Sequence, residues 1–172
     1  LLFSSKGDLR PAHIKVDGEQ YPVQARLKGD LLDHLRGEKW SYRIVLDQNE
    51  HWRGMTQFSV HNSGARSHLS EWAMHEIFKR EGIITPQYDF IRLYLNEKDL
   101  GVYAYEQHFD NALLKANQRP VAPILKHNDE GYWHNVQSDL KPFYWTDVSH
   151  LELFNKENKD PDFLKLFEVA QS

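Results

Sequence analysis

The chain has no cysteine, which excludes disulfides, thiolate nucleophiles and Cys-ligated zinc in one step. No apolar run approaches the roughly 18–20 residues needed to span a bilayer, so no transmembrane segment is expected. The opening Leu1-Leu2-Phe3 is too short for the apolar core of a signal peptide. Basic excess is missing too. Lys+Arg number 21 against Asp+Glu 25, a net charge of −4, without the positive field that nucleic-acid binders carry. Neither G-x-G-x-x-G nor G-x-x-x-x-G-K-[ST] occurs, which removes the dinucleotide fingerprint and the Walker loop. There is no G-x-S-x-G nucleophile elbow and no Asn-x-Ser/Thr glycosylation acceptor. His75-Glu76-Ile77-Phe78-Lys79 begins like the zinc-protease motif, but Lys79 stands where the second His ligand should be. His68, Glu71 and His75 share a helix face and read as solvated rather than as a metal set.

What is there suffices for one core: 172 residues, 40% apolar and 13% aromatic, about one domain by length. The first residue is not Met, which suggests part of a longer protein. Phe90 to Asp110 reads as the organising β-hairpin. Ile91, Leu93 and Leu95 alternate with Arg92 and Tyr94, Asn96 to Asp99 supplies a polar turn, and Val102 to Tyr105 resumes the strand. Glu106, Gln107, His108 and Asp110 follow where that strand leaves the sheet, a position suited to a site on a rigid scaffold.

Upstream, His13 to Leu27 gives a second hairpin around Asp17-Gly18. Lys28-Gly29-Asp30 interrupts that pattern, and residues 31–39 read as a mixed loop or short helix. In Lys39 to Asp47, Trp40, Tyr42, Ile44 and Leu46 fall on one face and Lys39, Ser41, Arg43 and Val45 on the other. Two cations, Lys39 and Arg43, would thus share a strand face. Phe58 and Val60 make another short strand.

Ser67 to Glu81 is the clearest helix, with Ser67 as N-cap and Gly82 at its end. Leu69, Trp72, Ala73 and Ile77 give its apolar stripe, and at about 100° per residue Glu76 falls within it. A carboxylate on a packing face needs a cationic partner. Asn111 to Asn117 reads as a short helix and Val121 to Lys126 as an extended run. Gly131 to Trp145 is aromatic and loop-rich, and Asp147 to Asn155 and Asp162 to Gln171 look like two amphipathic helices.

In order, Ala25-Arg26-Leu27-Lys28-Gly29, Lys39 to Asp47, the helix ending His75 to Gly82, and Phe90 to Asp110 resemble the CotH (spore coat protein H) kinase-like family. The likeness covers roughly residues 23–126. It implies an α+β fold: an antiparallel sheet with one packed helix like an atypical kinase upper lobe over residues 1–126, then a loop-rich and helical C-terminal segment over 127–172. It also implies use of ATP and magnesium to phosphorylate Ser residues of secreted or surface proteins. A kinase upper lobe needs a strand cation for the nucleotide phosphates and a helix Glu to orient it. The resemblance nominates Lys39 or Arg43 with Glu76, and Glu106 and Gln107 at the adenine hinge. The family's metal-binding Trp-Asp-x-Asp segment is not found, and Asp147 after Trp145-Thr146 reads as a helix N-cap. The expectation is therefore an amino-terminal kinase part that contacts the rest of its parent, with no catalytic or metal residues assigned. The alternative is a non-catalytic cell-surface module that binds protein or glycan.

Overall fold

A computed structural model describes residues 6–28, 39–47, 49–66, 69–127, 151–153 and 160–171. The chain divides into two compact units, residues 1–108 and 109–172.

The first unit is a curled antiparallel sheet of six strands in the order β1-β2-β3-β4-β6-β5. The strands are β1 (Arg10–Val16), β2 (Glu19–Leu27), β3 (Tyr42–Leu46), β4 (Gln57–His61), β5 (Tyr88–Leu95) and β6 (Lys98–Gln107). Two tight hairpins form its outer pairs. Asp17 and Gly18 join β1 to β2 with φ of 52° and 88°, and Asn96 and Glu97 join β5 to β6 with φ of 48° and 69°. Both central residues of each turn are thus left-handed, the geometry whose twist matches that of the flanking strands. The second turn is shorter than the four residues expected, because Lys98 and Asp99 already belong to β6.

One sheet face carries the core. Val23, Ile44, Leu46, Phe58, Val60, Tyr103 and Tyr105 are buried there, and Ile91 and Leu93 pack at its margin. Trp52 and Met55, bridged to each other, close the cluster. The Trp52 ring lies 4.8 Å from Phe58 and 4.9 Å from Tyr105, while its indole N–H donates to Asp17 Oδ2 at 3.1 Å. The buried Tyr103 hydroxyl has no hydrogen-bond partner among the described residues, and burial pushes its pKa up to about 12.

Helix α1 spans Ser70–Arg80. It begins after Leu69 with no side-chain cap; Ser67, the expected cap, lies outside the described residues. Its end is as expected: Gly82, at φ 72°, donates to Lys79 O, and Ile83 N to Phe78 O, the paired bonds of a Schellman stop.

The expected apolar stripe is not the packing face. Leu69, Trp72 and Ile77 are exposed, whereas Glu71, His75 and Phe78 are turned inward. These three recur at i, i+4 and i+7, one side of a helix.

In the second unit, α2 (Asn111–Ala116) is capped by Asp110, whose carboxylate accepts from the Ala112 and Leu113 amides. Strands β7 (Leu125–His127) and β8 (Leu151–Leu153) pair antiparallel. Leu151–Leu153 is therefore strand where the sequence pattern suggested helix; the rest of that expected helix, including Asp147, lies outside the described residues, as does 131–145. Helix α3 spans Pro161–Gln171 and is capped by Asp160.

Candidate functional site: a charged row across the sheet

Successive side chains on a strand point to opposite faces, so the residues between the core positions form a second surface. Strand register lines them up. Arg26 stands opposite Arg43, Arg43 opposite Ser59, Ser59 opposite Glu106, and Glu106 opposite Tyr88. A single row of Arg-Arg-Ser-Glu-Tyr thus crosses five strands. Next to it run Ser41, His61 and Ala104, each fully or almost fully buried.

Lys28 belongs to this surface. Its amide donates to Ser41 O at 2.8 Å, continuing the β2–β3 ladder by one residue. Its ammonium donates to Glu106 Oε2 at 2.9 Å, with side-chain exposures of only 17% and 15%. Lys28 directly follows β2 and Glu106 lies on β6, three strand spacings apart, roughly 14 Å on a flat sheet. The curl of the sheet and the two small serines between them, Ser41 and Ser59, leave room for the pair to close. A largely desolvated ion pair is costly to break, because the remaining partner is left as a buried charge.

Arg43 donates through Nη1 to His108 Nδ1 at 2.5 Å; a guanidinium only donates, so that ring nitrogen accepts. Like charges directly opposite on neighbouring strands repel, and Arg26 and Arg43 are so placed. Arg26 donates through Nη1 to Leu27 O at 3.0 Å, and a planar guanidinium edge is a donor suited to an oxyanion. Arg26, Lys28, Arg43 and Glu106 together carry a net charge of +2, on a chain whose overall charge is −4.

The nominated residues separate on this surface. Arg43 and Glu106 lie in the row. Lys39 does not: β3 begins only at Tyr42, so the alternation that paired Lys39 with Arg43 stops short of it. The Lys39 ammonium instead lies over the ring of Tyr103, a core-face residue, at 5.7 Å, and donates to Val102 O at 3.3 Å. Glu76 accepts from Lys79 at 2.6 Å, one turn along its own helix, and that bond holds its pKa below the usual range. Among the described residues no strand cation is paired with it. Gln107 points to the core side, where its Oε1 accepts from Gln87 N at 3.2 Å and its own amide donates to Gln87 O at 2.9 Å. It fixes the start of β5 against the end of β6.

Arg26 and Lys28, two residues apart on one strand face, escaped the sequence reading although both lie in the Arg-x-Lys-Gly segment; the Lys-Gly-Asp sequence looked like a break in the pattern. Glu71 and His75, expected to be solvated, face the sheet. Among the described residues no three His, Asp or Glu side chains converge to hold a metal ion.

The family model described as CotH kinase protein matches residues 25–169, most of the chain. A search of curated proteins finds no match. No helix among the described residues is long and apolar enough to cross a membrane.

Proposed function

Because the chain belongs to the CotH kinase family, we propose that the charged row holds the phosphates of ATP for transfer to Ser hydroxyls of secreted or surface proteins. The observation that supports this most is the Arg26–Arg43 opposition beside a Lys28 ammonium held by Glu106. ATP supplies the phosphoryl group; the sheet supplies fixed positive charge, which is most of what phosphoryl transfer asks of a protein. Lys28 presents its charge to the phosphates, and Glu106 orients Lys28. Arg43, braced by His108, offers a planar donor edge. Gln107 keeps the end of β6 in register behind Glu106. Lys39 and Glu76, on the core side of the sheet and in a local pair on α1, take no part in this reading. No step is assigned to magnesium.

Titration of the protein with a fluorescent ATP analogue tests the proposal. Lys28→Ala and Arg43→Ala should each weaken binding by about tenfold or more, the scale of one charged hydrogen bond, while Lys39→Ala leaves it unchanged. Equal affinity in all three variants would sink it. The second reading, a non-catalytic module that binds a protein, draws on the exposed apolar residues Leu69, Trp72, Met74 and Ile77 of the α1 segment. It requires no saturable nucleotide binding at all.

A further inference from the structure

The side of α1 that packs inward carries titratable groups, Glu71 and His75, beside the apolar Phe78. His75 of α1 stacks on the Tyr88 ring of β5, centroids 5.1 Å apart at 20°, and its Nδ1 shares a short hydrogen bond with the Thr85 hydroxyl. Tyr88 in turn shares a hydrogen bond with Nε2 of the fully buried His61 of β4, at 3.2 Å. Glu71 of α1 places a carboxylate oxygen 4.0 Å from the same nitrogen. No residue of α1 is fully buried, so little apolar burial backs these contacts, and elements held this way open at low free-energy cost.

We propose that His75 is a pH-sensitive latch: its imidazole holds α1 on the sheet when neutral and releases the helix when protonated. An imidazolium between Tyr88 and Thr85 would be poorly hydrated, and burial accordingly lowers the His75 pKa from its ordinary value of 6.5. The charged groups around it pull both ways. Glu106 of β6 favours the protonated ring, Lys79 of α1 opposes it, and Glu76 of α1 favours it, all more weakly than burial acts. Glu71 bears on His61 across Tyr88.

The sign follows from linkage. With His75 below 6.5 in the docked state, the undocked state binds more protons. Docking is therefore strongest above about pH 6.5 and weakens as pH falls towards the docked-state value, by at most tenfold per pH unit for one proton. The latch concerns helix docking and stands whether or not the charged row binds ATP.

Hydrogen exchange of the whole protein, corrected for intrinsic pH dependence, tests this between pH 7.5 and 5.5. Protection of the α1 amides should fall several-fold below pH 6.5 while the β6 amides of Tyr103 and Tyr105 hold. His75→Gln, which keeps a hydrogen-bonding group and cannot titrate, should flatten that dependence. Unchanged pH dependence in His75→Gln, or none in the native protein, overturns the proposal. Should the variant not fold, the His75 ring titrated by NMR in the native protein decides: an apparent pKa clearly below 6.5 supports the latch, and a value at or above it refutes it.

Discussion

The two faces of the central sheet are written by the same strands, one residue out of step. On the core face, Ile44, Phe58, Val60 and Tyr105 are apolar or aromatic and close-packed. On the other, Arg43, Ser59, Glu106 and Lys28 occupy the alternating positions. The first face holds the fold together through area removed from water. The second places charge where it is largely desolvated, which lowers stability unless the charges are well paired. A helix packed on such a face turns polar groups towards it, and α1 turns Glu71 and His75 inward with Phe78 and leaves Trp72 and Ile77 exposed.

Substitutions can break or sharpen this contrast. Phe58→Ala, on the core face against Trp52, should cost the most, about 3–5 kcal/mol of unfolding free energy, read from a denaturant midpoint at unchanged slope. Lys28→Ala should cost about 1–3 kcal/mol by removing a charged hydrogen bond from a largely buried carboxylate. Pairing it with Glu106→Gln should recover part of that loss, because the double variant removes both charges of the pair; additive losses would mean that the two residues do not act as a pair. Trp72→Ala should cost least, under about 1 kcal/mol, since the indole is 37% exposed. A loss like that at Phe58 would show that this side of α1 is covered after all.

These differences mark where sequence was informative. The two outer hairpins were legible because Asp17-Gly18 and the Asn96-containing turn carry local backbone chemistry, and the strands around them alternate cleanly. Arg43 and Glu106 were legible as polar positions on such strands. Lys28 was not, because its role depends on a partner 78 positions away, a fact that no local pattern holds. Lys39 was misplaced by extending the β3 alternation three residues beyond the strand. The stripe on α1 was misassigned because a hydrophobic-period argument assumes an apolar surface opposite, and the surface there is polar. Leu151–Leu153 became strand through its pairing with β7, a contact that overrides an ambiguous local signal.

The strand order also leads to an expectation about self-assembly. Each outer hairpin closes through a two-residue turn, a process of microseconds. The β4–β6 ladder instead joins His61 to Ala104 across 43 intervening steps of chain, which carries a larger closure entropy and points to a late, slow step. Lys28 and Glu106 lie on opposite sides of that seam, so the charged row exists only once it is sealed. Any ligand of the row binds the finished protein alone, and would act as a clamp that slows unzipping.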